Sequence, residues 1–444
     1  MWFYSRAMWW WCRRLLIVNA DNQSDKLKVA MRRFSIGAFI ASACLTSSIT
    51  CATDFTYAPS AKTRLGLSDN IRGATSGSEG AIGFDMGANI DLKAQSQTLT
   101  SEVIPAFNVR RFAAGRNLDA DEYSVTINNN WLQESYTTGV NFSYARDSTL
   151  STLATERGFR NDVTDRDTVS VQPSAVWYAT DKIAMNVSGL FNDVSYLSAA
   201  TAGFVDYRFL QGSSGFTYSF RENAQTFANF FVTDFDAPSQ QSKTRSYGGQ
   251  AGLTWRWDPT FETTGAVGWI SSNIEFVDRQ LALVLVPFPQ ITTILIPRST
   301  STSGPIANVN IRKAFESMVA KFDFSRQVSP SGRGSESSAD RMALQVEKRL
   351  SDQLIIRVEG IYEIRTAQAA DVIVGSGGID LNRDAAELRG SVRYQFAPQW
   401  ALSAGYQFGH SVDANVNSSA SVTINSVNFI IEYNGLPKTF WDGF

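Results

Sequence analysis

Hydrophobic and polar residues alternate with a period of two along nearly the whole chain from Asp54 onward, and no apolar run there is long enough for a membrane-spanning helix. In the segment from Trp400, Leu402, Ala404, Tyr406 and Phe408 share one face while Ser403, Gly405, Gln407 and Gly409 share the other. Leu354, Ile356, Val358, Tyr362 and Ile364 likewise oppose Arg357, Glu359, Glu363 and Arg365. Leu388, Val392, Tyr394 and Phe396 oppose Glu387, Arg389, Ser391, Arg393 and Gln395. Successive side chains of a strand point opposite ways, so one face suits lipid and the other water. A soluble sandwich alternates too, and alternation alone does not choose between them.

The connections make the choice. Tight junctions are expected at Ala179-Thr180-Asp181-Lys182, Arg221-Glu222-Asn223-Ala224, Trp257-Asp258-Pro259-Thr260, Leu350-Ser351-Asp352-Gln353 and Ala397-Pro398-Gln399. Between them lie polar or Gly/Ser-rich stretches read as long loops: Ser148 to Asp167, Ala237 to Arg245, Pro330 to Ala339, Thr366 to Asp384 and Ser411 to Val422. Short and long in regular turn is the build of an outer-membrane barrel, with short periplasmic turns and longer extracellular loops. The expected fold is therefore all-β, a transmembrane antiparallel β-barrel of about 18 strands with both termini in the periplasm. The first strand begins near Phe55, the twelfth near Pro305 and the last near Thr423. Sixteen strands stays open, because the hairpin from Ile82 to Arg111 and the stretch near Phe204 are weakly patterned. Trp255 with Trp257, Trp177 with Tyr178, and Trp400 stand at strand ends, where amphipathic rings meet a membrane interface.

Ahead of the barrel, Met31 opens a secretory pattern: Arg32-Arg33, an apolar run from Phe34 to Leu45, and small residues at Thr50 and Ala52. Residues 31–52 read as a signal peptide cut before Thr53, residues 53–444 as the barrel, and residues 1–30 as an over-extended gene start. The rival, an uncleaved anchor over Met1 to Val18, is broken by Arg6, Arg13 and Arg14. Lipidation at Cys44 or Cys51 fits poorly with the residues before them.

Composition narrows the chemistry. The chain holds one His and three Cys (Cys12, Cys44, Cys51, all before Thr53), against 29 Phe, 14 Tyr and 11 Trp. Metal, thiol and histidine chemistry lose most of their material, and no cofactor or metal is expected. With 40 Lys+Arg against 42 Asp+Glu there is no basic footprint for nucleic acid. The expected partners are outer-membrane lipid, with polysaccharide and periplasmic export components as further candidates. Oligomeric state is not read from the sequence.

The opening Arg64-Leu65-Gly66-Leu67-Ser68-Asp69-Asn70-Ile71, a strand running into an Asp-Asn turn, and the repeated Asp-containing hairpins resemble the outer-membrane β-barrel proteins of exopolysaccharide systems, the putative β-barrel porins of the second type. The resemblance covers most of the exported chain. It implies an outer-membrane barrel that passes or helps secrete polysaccharide, and no catalytic residue. The terminal Phe440, Trp441 and Phe444 resemble the signal such barrels present for insertion, with Gly435 to Gly443 intervening after the last strand.

The leading functional expectation is thus an outer-membrane channel for polysaccharide or another hydrophilic solute. A general small-solute porin is the alternative, and an acyl hydrolase or a structural or adhesive barrel the others. An enzyme would need His410, but Ser411 beside it points to the opposite face of a strand, and a non-enzyme is expected. The apolar stretch Leu281 to Pro297, with three prolines and near-symmetry about Pro287 to Gln290, reads as a hairpin prolonging two strands or as a lid. Taking the polar face of the strands from Pro305 to Phe396 as the inner one, the candidate lumen lining is Arg312, Lys321, Arg341, Arg349, Arg357, Arg365, Arg389 and Arg393 against Asp323, Glu347, Glu359, Glu363 and Glu387. Cross-strand pairing is expected for most of these. The surplus, almost all arginine, would favour anions.

Overall fold

In the computed structural model, residues 54–71, 78–113, 118–150, 164–197, 204–284, 290–330, 336–367, 382–415 and 418–439 are described. The proposed leader and gene-start segments and the terminal Phe440 to Phe444 lie outside the described residues.

The strands are β1 (Asp54–Ser68), β2 (Ala81–Gln95), β3 (Leu99–Phe112), β4 (Ala120–Leu132), β5 (Tyr136–Ser148), β6 (Asp165–Thr180), β7 (Ile183–Tyr196), β8 (Tyr207–Arg221) and β9 (Ala224–Ala237). They continue as β10 (Ser242–Asp258), β11 (Phe261–Val284), β12 (Gln290–Ala314), β13 (Met318–Pro330), β14 (Glu336–Arg349), β15 (Leu354–Ala367), β16 (Asn382–Ala397), β17 (Trp400–Asn415) and β18 (Ser418–Asn434). Each pairs antiparallel with its neighbours in sequence, and β1 pairs with β18 from Ser60↔Asn434 to Ser68↔Ser426. Closure leaves no unpaired edge around the wall, the condition for a sheet to span lipid. A two-residue strand, β19 (Lys438–Thr439), pairs with Thr56 and Tyr57 beside the seam. The chain after the last long strand thereby returns to the wall.

Alternation is realised as two faces. Large exposed apolar side chains stand on the outside at alternate positions: Leu65 and Leu67, Phe84 and Met86, Phe230 and Val232, Met342 and Leu344, Phe429 and Ile431. Aromatic rings gather at the short-turn end, where Trp255 lies 5.5 Å from Trp257, Trp257 stacks on Phe261, and Trp400 packs on Tyr433 at 4.9 Å. A closed barrel with a lipid-facing apolar exterior and an aromatic interface belongs in the bacterial outer membrane.

Three connections and one strand start depart from expectation; of Pro330 to Ala339, expected as a long loop, Pro330 and Glu336 to Ala339 are already paired strand. Ala237 to Arg245 is not a long loop: β9 and β10 run to either end of a short 3-10 turn, Pro238–Gln240, closed by Gln241 at φ 53°. Ser411 to Val422 is likewise mostly strand, with pairing carried out to Asn415↔Ser418. Both stretches are mostly polar in sequence on the two faces alike, so they lack the hydropathy alternation that marks a strand between lipid and water. The twelfth strand starts at Gln290, well before Pro305, because the apolar run Ile291 to Ile296 and the polar run Ser299 to Ser303 each lack a two-residue period. Its partner β11 pairs with it from Phe261↔Lys313 to Val284↔Gln290. Leu281 to Val284 and Gln290 to Pro297 are thus the prolonged ends of two paired strands, and residues 285–289 between them lie outside the described residues. β10 stops pairing at Glu275 and β13 at Ala307, so the pair runs on for about 30 Å past β10.

Candidate functional site

The inner face is set by the register. Cross-strand partners in an antiparallel pair share a face, so Arg312↔Lys321, Lys321↔Gln345, Gln345↔Glu359, Glu359↔Arg389 and Arg389↔Gln407 form one inward row across β12 to β17. By the same pairing Asp323, Arg341, Glu347, Arg349, Arg357, Glu363, Arg365, Glu387 and Arg393 stand on that face, opposite Met342, Leu344, Val358, Tyr362, Leu388 and Val392. The thirteen candidate residues therefore share one side of one sheet.

Pairing sorts them. Arg357 meets Glu347 at 2.5 Å, Arg365 meets Glu363 at 2.9 Å, and Arg389 reaches Glu387 at 2.6 Å and Glu359 at 3.4 Å. Arg393 lies 3.5 Å from Glu432 on β18, and Asp323 accepts a hydrogen bond from the Asn310 amide. Arg312, Lys321, Arg341 and Arg349 form no ion pair among the described residues. They occupy neighbouring strands, β12 to β14: Arg312 and Lys321 are direct cross-strand partners, while Arg341 and Arg349 lie about 26 Å apart along β14, so the unpaired cations are spread along a wall that is otherwise compensated.

Sequence reasoning missed two further groups. The first is a charged row on β1 to β4: Asp85 accepts from Arg64 Nε at 2.7 Å and from Arg110 Nε at 3.0 Å, and Arg110 also lies 3.4 Å from Glu122. Its signal was present in the alternation of Lys62, Arg64, Gly66 and Ser68 with Thr63, Leu65 and Leu67. The second group is aromatic. Phe209, Phe235 and Val205 bury each other, Tyr207 packs on Phe235 at 5.4 Å, and Tyr196 stacks on Phe204 at 4.9 Å. Phe204 and Val205 precede β8 and fold onto the inner face, held by Asp206, which accepts the Tyr196 N–H at 2.7 Å. Below them Phe227 and Phe231 lie inward against Gly252 and Gly248.

His410 points outward and its Nδ1 lies 3.1 Å from Thr423 Oγ1, while Ser411 is buried on the inner face. The two do not meet. Among the described residues no group of three or more His, Cys, Asp or Glu is arranged to hold a metal ion.

No protein family matches the chain, and no curated protein matches it. Solved structures similar to it include the ferric-catecholate import receptor Fiu of E. coli K12 in its open form (9% identity, TM-score 0.46, covering 85% of this chain and 81% of that one). OpdL of Pseudomonas aeruginosa is similar at 10% identity and TM-score 0.46, over 87% of this chain and 99% of that one. OccAB4 of Acinetobacter baumannii is similar at 10% identity and TM-score 0.45, over 88% and 99%. None of these likenesses bears on what this barrel carries.

Proposed function

We propose that the barrel is a passive channel for small hydrophilic solutes. The observation that carries this is the exposure of charged side chains on the inner face of a closed wall: Lys62 is 55% exposed, Arg357 54%, Arg64 42% and Arg389 41%. Charges left this accessible inside a barrel need water around them, since an uncompensated dry site would be prohibitive. A wall of about 18 strands is wide enough for such a lumen. The unpaired Arg312, Lys321, Arg341 and Arg349 would line it and raise the local concentration of anions. Small solutes are favoured over polymer export because the apolar cluster around Phe204 and Phe235 occupies part of the inner face near the mouth. Export of polysaccharide, implied by the resemblance alone, gains no support from the comparisons.

Nothing in this reading needs a catalytic step. His410→Ala should leave the rate of lipid hydrolysis at background, and a drop from a measurable rate would make the protein an enzyme. The channel itself is tested by reconstituting the purified chain in planar bilayers. Discrete conductance steps are expected; a protein that inserts, retains its heat-modifiable fold and passes no current would refute the proposal.

A further inference from the structure

A hollow lies in the inner wall at the seam where β18, β1, β2 and β3 meet. Gly66 and Gly83 are cross-strand partners on the inner face, and Asn428 and Phe112 flank them in the same row. Two glycines side by side remove the side chains that would fill this place, leaving a cavity of about 350 Å³. A Cβ on Gly83 would come within 2.7 Å of the Phe112 ring, so the ring lies directly over that glycine and walls one side. A Cβ on Gly66 would meet nothing closer than a carbonyl oxygen at 3.9 Å, so there the hollow is open. Ile71, Leu150 and Ile424 border it as well, and the Arg64–Asp85–Arg110 row forms its other boundary. Arg389, Gln407 and Ser426 enter from the remaining side.

The electrostatics of this hollow differ from those around the unpaired cations of β12–β14. Arg64 and Arg110 share Asp85, Arg110 also faces Glu122, and Arg389 is held by Glu387 and Glu359. Three guanidinium groups are thus matched by four carboxylates, and an anion entering finds no net positive field. What remains is a dense set of oriented partners of both kinds. Guanidinium groups only donate, carboxylates only accept, and the amides of Gln407 and Asn428 do both. A hydroxyl also does both, so a ring bearing several hydroxyls can satisfy such a set without carrying charge. The face of Phe112 supplies an apolar surface for the C–H side of that ring. The volume is at the lower end for ligand sites, enough for one or two rings.

We propose that the hollow over Gly66 and Gly83 binds a small neutral saccharide ring as it enters from outside. This rests on the reading of the barrel as a channel for small hydrophilic solutes and names a solute class that has its own site. The proposal is tested by calorimetric titration of the detergent-purified full chain with glucose, glucuronate and benzoate, alongside bilayer recording with each probe. Glucose should bind, glucuronate no more tightly, and benzoate weakly or not at all. Gly66→Leu, which fills the hollow, and Phe112→Ala, which removes the ring, should each weaken glucose binding at least tenfold. Gly304→Leu, adding the same bulk to the inner face of β12, should leave it intact. Heat-modifiable migration confirms that each variant is folded, and Phe112→Ala stands alone if Gly66→Leu is not. Glucuronate or benzoate binding tenfold tighter than glucose would make the hollow an anion site and overturn the proposal, as would absence of glucose binding. Current without glucose binding would sink this inference and leave the channel standing; glucose binding without current would do the reverse.

Discussion

The walls β7–β11 and β12–β16 belong to the same closed sheet and differ in what their inner faces meet. On β12–β16 the inner positions include many Arg, Glu, Lys and Asn residues, several of them well exposed, among a few buried apolar ones such as Ile306 and Ala343. On β7–β11 they include Tyr196, Phe209, Phe235, Ile270 and Ile274, all buried. The outer faces are alike, apolar in both. One wall faces water inside and the other faces protein, because Phe204 and Val205 fold back onto it. A strand between lipid and water alternates in hydropathy, whereas a strand between lipid and protein can be apolar on both sides. The inside of this barrel is therefore two environments.

The largest effect should come from breaking the protein-packed wall. Phe235 has no exposed surface, and Phe235→Ala should cost about 3–5 kcal/mol, as truncation of a buried aromatic does. Phe230, five residues earlier and 61% exposed on the outer face, should lose far less on the same change, since lipid can fill the space. Urea unfolding of the reconstituted barrel measures both. Equal losses would mean that the inner cluster is no better packed than the lipid-facing surface, and the contrast between the walls would disappear.

The same contrast explains what could be read from the chain. On β13 to β17 the polar inner face was legible, because charged or polar residues alternate there with large apolar ones. The register then brings all thirteen candidates to one side. The barrel was legible from short connections, such as Thr180-Asp181-Lys182, alternating with longer ones, such as Thr366 to Asp384. The inward aromatic cluster was not, since Phe209 and Phe235 look like lipid-facing residues when nothing in their neighbourhood tells inside from outside. Nor were the strand ends from Ser242 to Arg245 and from Ser411 to Val422. There Ser242, Thr244 and Ser411 are buried on the inner face although they are polar, so the sequence shows no change of hydropathy from one face to the other to announce a strand. The Gly66–Gly83 hollow needed the register, because two glycines seventeen positions apart are neighbours only after β1 and β2 have paired.

A smaller effect should follow from charge on the water-facing wall. Under a salt gradient the unmodified protein should show a reversal potential of anion preference, fading as ionic strength rises and screening shortens. Arg312→Glu with Lys321→Glu should reverse or abolish it, since neither side chain forms an ion pair among the described residues. Arg389→Glu with Arg393→Glu should weaken it less. Those two guanidinium groups are already matched by Glu387, Glu359 and Glu432, and their own field is largely cancelled. Cation preference in the unmodified protein would refute the unpaired cations as the source of selectivity, and equal effects of the two double substitutions would refute the distinction between paired and unpaired cations.

The smallest effect concerns the two ends of the barrel. At the long-loop end, Asp69 sits below the ordinary aspartate range: slight burial pushes its pKa up, but hydrogen bonds from the Asn425 side chain and backbone N–H outweigh it. At the short-turn end, outside the membrane span, Asp258 is held lower still, at about 2. The main cause is the Thr260 hydroxyl donating at 2.5 Å, followed by the Thr260 N–H at 2.7 Å and Lys313 Nζ at 3.1 Å. A carboxylate whose pKa is depressed by folding contributes stability that is complete above its unfolded pKa and lost as the pH falls through the folded one. For Asp258 that window lies below the ordinary aspartate range and ends near pH 2, so the turn should be insensitive to pH from neutrality down to about pH 4. The group is fully exposed, and its contribution should be slight. Asp258→Asn should lower the thermal transition of the detergent-solubilised barrel by a small amount at pH 7, with the difference from the unmodified protein closing as the pH approaches 2. A difference that stays the same at pH 2 would show that Asp258 acts through shape and not through its charge.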